Sequence, residues 1–174
     1  MLAREPVYAI RPVRPEELAL LPGVEQAAGR LFAGTSEAWI VDDGDHSLAD
    51  FTDWLRDGAI WVAIADDRIV GFAAVETIDG QSYLHELDVH PDHGRRGLGR
   101  RLIATAVAAA RAVGQTALRL STFRHIPWNA PYYVKLGFRE LPEADWGPGL
   151  REVWRAEIAS GLDPARRLML ELRW

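Results

Sequence analysis

A chain of 174 residues with 48% hydrophobic and 26% charged residues has the size of one domain and an ordinary globular composition, which excludes wholesale disorder and a disulfide-stapled miniprotein. It has no cysteine, so disulfides, thiolate metal sites and a cysteine nucleophile are excluded together. The net charge of -5 hides a polarity: Met1 to Asp92 carries 6 basic and 18 acidic residues, whereas His93 to Arg139 has eight Arg, one Lys and no acid at all. A long acid-free stretch inside an acidic chain points to a local anion site and away from nucleic-acid coating, since the overall field repels a polyanion. No run of about 18 apolar residues occurs, and the opening MLAREPVYAI lacks the apolar core of a secretory signal, so the expectation is a cytoplasmic protein without a membrane partner.

In chain order, Tyr8 to Val13 reads as a short strand and Pro15 to about Ala33 as a helix. Gly34 to Ser47 reads as a loop, with Ser47 capping a helix from Leu48 to Asp57 that Gly58 ends. Ile60 to Ala65 and Ile69 to Thr77 are strands joined by Asp66-Asp67-Arg68, and the turn pair Asp79-Gly80 leads to a third strand, Ser82 to Val89. These three strands should be consecutive and antiparallel. Leu98 to Val113 repeats Leu98, Leu102, Ala106, Ala109 and Val113 at helical spacing, and Ala117 to Thr122 follows as a strand. Strand, crossover helix and strand predict a parallel pair. A short helix from Pro131 to Leu136, a strand from Phe138 to Leu141, a helix from Gly147 to Ser160 and a last strand from Arg167 to Arg173 complete the pattern. The fold class is α/β with a mixed sheet, and no repeat or linker interrupts a single domain over 1–174.

The junction Val89 to Leu102 (VHPDHGRRGLGRRL) joins a strand to an amphipathic helix. Such a junction offers backbone N–H groups and the positive end of a helix dipole, and glycines let an oxyanion approach the backbone. Arg95, Arg96, Arg100 and Arg101 add charge, which gives a pyrophosphate-sized anion site. Two other phosphate loops fail by letter: no Lys-Ser/Thr follows as in a Walker A loop, and Leu102 stands where a dinucleotide fingerprint needs a third small residue.

These residues resemble the GNAT N-acetyltransferase superfamily, over nearly the whole chain. Leu87-Asp88-Val89-His90-Pro91 matches the family's lead-in, and Gly94-Arg95-Arg96-Gly97-Leu98-Gly99 matches its Gln/Arg-x-x-Gly-x-Gly/Ala acetyl-CoA signature. The first signature position is Gly94, so Arg95 or Arg96 would have to supply the missing side-chain contact. A second segment, Pro127 to Phe138, resembles the family's Tyr-x-x-x-Gly-Phe ending, with Tyr133 in the tyrosine position. The resemblance implies a mostly antiparallel sheet splayed between its fourth and fifth strands, helices on both faces, and acetyl-CoA as co-substrate with no metal. It further implies that backbone groups of Leu87 and Val89 hold the pantetheine arm. The N–H groups from Arg95 through Arg96, Gly97, Leu98 and Gly99 to Arg100 would hold the pyrophosphate, with Asn129 also near the coenzyme. Arg124 and Lys135 are cations that could reach a 3′-phosphate.

Acetyl transfer to an amine needs a neutral amine, a polarised carbonyl and a proton for the leaving thiolate. Tyr133 is the candidate acid toward the sulfur. Glu86 and His85 are both candidates for taking the amine proton, directly or through water; strand alternation turns them to opposite faces, which leaves the choice open. Trp39 with Asp42, Asp43 and Asp45 would suit a cationic acceptor, and Trp128 could wall a pocket. The expected acceptor is a primary amine of a small molecule or peptide, attacked in a ternary complex. The alternatives are a non-catalytic acyl-CoA sensor or interaction module, and a nucleotide-binding domain using the Arg-rich turn. The strand ending at Trp174 offers an edge for pairing across a homodimer.

Overall fold

In a computed structural model the described residues are 6–42 and 46–174. Three strands, β1 (Tyr8–Pro12), β2 (Gly58–Ala65) and β3 (Arg68–Ile78), are followed by β4 (Gln81–Val89). Asp66-Asp67 links β2 to β3 and Asp79-Gly80 links β3 to β4. Both residues of each pair have positive φ (47° and 60°, 50° and 73°), the geometry of a type I′ turn, whose twist matches that of the flanking strands. β1 pairs antiparallel with β2 in the register Ile10↔Ala63. β5 (Ala117–Phe123) runs parallel to β4, in a ladder that covers Ser82↔Leu118 and Tyr83↔Arg119 near the start of both strands. β7 (Arg167–Arg173) lies antiparallel along all of β5, and the two-residue β6 (Arg139–Glu140) pairs with β7. The sheet is therefore mixed, mostly antiparallel and open, in the order β1-β2-β3-β4-β5-β7-β6.

The described residues fall into two compact units, Met1–Val75 with Glu86–Ala106 and Glu76–His85 with Val107–Trp174. In the first, the expected long helix after Pro15 is broken into a 3-10 turn (Pro15–Leu20), helix α1 (Leu21–Gly29) and a second 3-10 turn (Arg30–Gly34). Pro22 explains the first break: it has no N–H to give to Leu18, and the Leu21 N–H donates to the Leu18 carbonyl in a tighter turn instead. Helix α2 (Leu48–Asp57) begins as the sequence predicts, with Ser47 and Asp50 forming a capping box. Phe51 of α2 is fully buried and meets Phe72 of β3 edge-on at 5.4 Å; with Leu18, Leu21, Val24, Ile60 and Val62 it forms the core of this unit. Burying such a ring contributes about 3 kcal/mol. Among the described residues the loop after Gly34 contains a short 3-10 turn, Ala38–Val41, that was not expected.

In the second unit Tyr83, Leu141, Leu150 and Met169 form a core, with Trp146 and Trp154 packed against it. Arg119 and Glu171 face each other across β5 and β7 at 2.8 Å, both buried, and Arg173 also reaches Glu171, so the carboxylate has two guanidinium partners. A buried pair of this kind costs about 3 to 5 kcal/mol to break from one side. Helix α4 (Ala130–Lys135) and helix α5 (Pro148–Ala159) also belong to this unit. Helix α3 (Leu98–Ala112) buries Leu98, Leu102, Ile103 and Ala106 as the spacing predicts, but it ends one residue early: Ala109 is half-buried and Val113, expected on the same face, is exposed past the helix end. Among the described residues no helix is long and apolar enough to cross a membrane.

Candidate functional site

The end of β4 changes character before the Gly/Arg turn begins. Ser82 to Leu84 are buried, whereas His85 to Val89, including Leu87, are half-buried. β4 continues for six residues, Leu84 to Val89, beyond its last ladder partner in β5. On the side of β3 the approach is close: a Cβ placed on Gly71 would lie 2.8 Å from the Asp88 carbonyl oxygen, so only glycine fits there. The His90 N–H donates to the Val70 carbonyl at 2.8 Å and fixes the exit of the strand.

From that anchor the chain makes a 3-10 turn, Pro91–His93, and then turns through Arg95 (φ 58°) and Gly97 (φ 75°), both left-handed. The Arg101 N–H is bonded to the Gly97 carbonyl at 3.0 Å, so the N–H groups of Leu98, Gly99 and Arg100 form the first turn of α3, where an α-helix offers no acceptor of its own. Leu98 is buried and pins this turn, while Arg95, Arg96 and Arg100 are exposed around it. The His93 Nδ1 meets the Tyr8 hydroxyl at 3.0 Å and Arg101 donates to the Tyr8 carbonyl, so these two side chains tie the turn to β1. The result is a row of amides and guanidiniums at a helix N-terminus, in a segment without a single carboxylate between His93 and Arg139. Such a surface has the charge and donors to accept a dianion of pyrophosphate size.

Glu86 and His85 turn to different partners, as strand alternation requires. The His85 Nε2 meets the Glu76 Oε2 at 2.7 Å and its ring stands edge-on to Tyr83. Glu86 faces the His46 Nδ1 at 3.9 Å. His46 in turn is bonded through its ring Nδ1 to Glu25 at 2.5 Å and through its backbone N–H to the other Glu25 oxygen at 3.0 Å. Burial works against a charge on the His46 imidazole, but the Glu25 hydrogen bond and the Glu86 and Glu25 charges outweigh it, and its pKa is pushed up to about 9. Glu25, His46 and Glu86 each bring one ligating atom within 4.8 Å of the others, a set able to hold a metal ion. A protonated imidazole between two carboxylates fills the same electrostatic role. The sequence reading singled out neither Glu25 nor His46, and no local pattern marks a carboxylate and an imidazole 21 positions apart.

Tyr133 lies in α4, 8% exposed, its ring edge-on to Tyr132 and Phe138. Asn129 precedes α4 and accepts the Tyr132 and Tyr133 N–H groups through its backbone carbonyl, so its side-chain amide is not spent on capping the helix. Arg124 is not a spare cation: it donates to Glu140 and to the Arg167 carbonyl, both at 3.4 Å. Lys135 is exposed in the last turn of α4, and Trp128 is partly exposed. Trp39 donates its indole N–H at 2.9 Å to Glu37, a carboxylate only 2% exposed, and Asp42 is at the surface. Asp43 and Asp45 lie outside the described residues.

Residues 56–140 match the family model described as Acetyltransferase (GNAT) domain. The chain is 32% identical to the mycothiol acetyltransferase of Nocardiopsis dassonvillei, over 52% of this chain and 35% of that protein. It is 33% identical to the [ribosomal protein bS18]-alanine N-acetyltransferase of Salmonella typhimurium, over 44% of this chain and 51% of that protein. The chain thus spans about a third to a half of the length of these curated relatives. Among solved structures, the PaiA N-acetyltransferase of Thermoplasma acidophilum in complex with coenzyme A is similar with a TM-score of 0.68 at 20% identity, covering 97% of this chain and 99% of that one. The ribosomal-protein-S18-alanine N-acetyltransferase of Escherichia coli is similar with a TM-score of 0.66 at 17% identity, covering 96% and 94%. At these identities the structural likeness establishes the fold.

Proposed function

From the match of residues 56–140 to the GNAT acetyltransferase domain model and the shared fold, we propose that the chain is a GNAT N-acetyltransferase that moves the acetyl group of acetyl-CoA to a primary amine of a small molecule or peptide. The observation that carries this reading is the turn from Arg95 to Arg100, where left-handed Arg95 and Gly97 lead into the α3 N-terminus among exposed arginines. The amides of this turn bind the coenzyme's pyrophosphate, with Arg95 or Arg96 replacing the side chain that Gly94 lacks. Backbone groups of Leu87 and Val89, on the half-buried end of β4, hydrogen-bond the pantetheine arm and the thioester. Asn129, whose amide is left over from helix capping, is a further coenzyme contact.

In the reaction the amine nitrogen attacks the thioester carbonyl, the C–N bond forms and the C–S bond breaks. Glu86 takes the proton that the amine gives up, directly or through water, and the Tyr133 hydroxyl donates a proton to the leaving sulfur. Glu86 is favoured over His85 as the base because His85 is engaged with Glu76 at 2.7 Å. Without cysteine no thiol-borne acyl-enzyme forms, and attack in a ternary complex is the simplest course. One curated relative is named for mycothiol and the other for N-acetylation of a ribosomal protein's alanine; the second name supports an amine acceptor, and a small molecule and a peptide are both candidates.

A calorimetric titration with acetyl-CoA and a thiol-release assay against an amine panel test the proposal. Binding with thiol release is the expected result, and binding without release for any amine identifies a non-catalytic acyl-CoA sensor. No binding at millimolar acetyl-CoA overturns the reading. Tyr133→Phe is expected to lower kcat about 100-fold with coenzyme affinity little changed, and unchanged kcat removes Tyr133 from the mechanism.

A further inference from the structure

Glu25, His46 and Glu86 come from α1, from the residue before the α2 cap, and from β4, and all three belong to the first compact unit. One ligating atom of each lies within 4.8 Å of the other two. Glu25 divides its two oxygens between separate tasks: one accepts the His46 backbone N–H at 3.0 Å and holds that residue in place, while the other meets the ring Nδ1 at 2.5 Å. The ring is further fixed by Trp54, centroids 4.7 Å apart, and by Phe51, which it meets edge-on. Nδ1 is thus the atom that both carboxylates approach, with the Glu86 Oε2 at 3.9 Å.

The spacing suits a borderline divalent cation. A tetrahedral Zn2+ bonded at about 2.0 to 2.1 Å holds its donors about 3.4 Å apart, which falls between the separations of 2.5 Å and 3.9 Å around Nδ1. Shifts of under about 1 Å therefore seat the ion. The side chains are 14% (Glu25), 29% (Glu86) and 40% (His46) exposed, so an ion can enter from solvent without unfolding the site. One imidazole and two carboxylates with an open fourth position form a donor set that suits Zn2+, whereas Mg2+ favours oxygen ligands and keeps its waters.

We propose that these three side chains form an inhibitory site for a divalent cation of the zinc class, whose occupancy stops acetyl transfer by engaging the Glu86 carboxylate. The inhibition rests on the proposed role of Glu86 as the base; the binding of the ion does not. On binding, the proton between Nδ1 and Glu25 leaves to water, and their hydrogen bond is replaced by two metal bonds, one to each atom; Glu86 gives the third and water the fourth. Glu25 keeps its second oxygen on the His46 backbone, an outer contact of the kind that orients a metal ligand. A Glu86 carboxylate bound to the ion is too weak a base for the proton of an ammonium, and the added positive charge repels the ammonium itself.

Calorimetry with ZnCl2 on the wild type, Glu25→Gln, His46→Gln and Glu86→Gln, each checked for folding by circular dichroism, tests the site. The wild type should take up one equivalent of Zn2+ in the micromolar range and no Mg2+. Each substitution should weaken Zn2+ at least about 10-fold, the cost of disturbing even an outer partner of a metal ligand. Side-chain 15N NMR on the wild type needs no variant: Zn2+ should move the ring resonances of His46. Changes confined to His90 and His93, whose rings lie 6.1 Å apart, overturn the proposal, as does no uptake at millimolar Zn2+ or equal uptake by the wild type and His46→Gln. The inhibition is read from initial rates of N-acetyl product, with Zn2+ added and then removed by EDTA, each protein compared with its own metal-free rate. Wild-type turnover should fall toward zero at saturating Zn2+ and return with EDTA, and half-inhibition of Glu25→Gln and His46→Gln should need more Zn2+ in step with the calorimetric loss. Zn2+ bound through the trio with turnover unchanged overturns the inhibitory role. If Glu86→Gln keeps the wild-type rate, the base assignment and the inhibition fall together, while the ion site stands or falls by the calorimetry.

Discussion

Asp79 has two tasks in the structure, and three substitutions separate them. It is the first residue of the type I′ turn between β3 and β4, with φ at 50°. Its carboxylate also accepts the N–H groups of Gly149 at 2.9 Å and Leu150 at 3.0 Å, so it caps α5, whose own preceding residue Gly147 has no side chain to do so. The approach is tight enough that a Cβ on Gly147 or Gly149 would lie 2.5 Å or 2.9 Å from a carboxylate oxygen of Asp79. Asp79→Gly keeps a residue at ease with positive φ and removes the cap and its charge at the helix dipole, a loss of about 1 to 2 kcal/mol. Asp79→Ala removes the same cap and also forces a Cβ into the left-handed region, which adds about 1 kcal/mol. Asp79→Asn tolerates the turn and retains one acceptor oxygen, so its loss should stay near 1 kcal/mol. Urea denaturation measures these differences, with m unchanged across the series. In thermal melts each kcal/mol is worth about 2 to 4 °C for a chain of this size. If Asp79→Gly is as stable as the wild type, the carboxylate is not a cap; if Asp79→Ala and Asp79→Gly are equal, the turn carries no strain.

The His46 pKa, pushed up to about 9 when folded, makes stability depend on pH. A group raised in the folded state contributes fully below its unfolded value, near 6.5, and its contribution is lost as pH rises through about 9. The full shift is worth at most about 3 kcal/mol, and with the imidazole 40% exposed solvent screening reduces it to about 1 kcal/mol. The wild type should therefore melt about 2 to 4 °C above His46→Gln at pH 6 and level with it at pH 10; a gap that stays constant with pH refutes the assignment. Gly71→Ala would drive a Cβ against the Asp88 carbonyl oxygen, costing about 1 to 3 kcal/mol and displacing the strand that bears Leu87 and Val89. Calorimetry should show weaker acetyl-CoA binding together with the lower stability, and unchanged values for both would remove the proposed link between this close packing and the coenzyme.

Most elements were readable from sequence where one local cause decides them. Asp79-Gly80 demanded a turn, Ser47 marked a helix start, and the strand from Arg167 to Arg173 was bounded correctly at both ends. The segment after Pro15 was read as one helix because Pro15 can open a helix and the stretch is rich in alanine and leucine, whereas a second proline, Pro22, decides the hydrogen bonding. The 3-10 turn at Ala38–Val41 was also missed. Its anchor is the buried Glu37 holding the Trp39 indole, and an acid in a polar loop carries no sign that it will be buried.

The same division runs through the candidate site. An anion cradle at a helix start is a local device: its amides are consecutive, its conformation needs left-handed residues at fixed places, and so Gly97 and the arginines around it are legible as letters. The Asp79 cap lies at the other extreme, since it joins a turn to a helix 70 positions further on, and the turn signal that reveals Asp79 says nothing of the carboxylate's destination. The Glu25, His46 and Glu86 trio is of this second kind. Glu86 stood out as a carboxylate on the fourth strand able to take a proton, while Glu25 and His46 acquire meaning only when α1 and the α2 cap are packed beside β4. Geometry that joins distant residues is set by packing, so a change in the core beneath α2, at Phe51 for example, should move the His46 ring that stands edge-on to it.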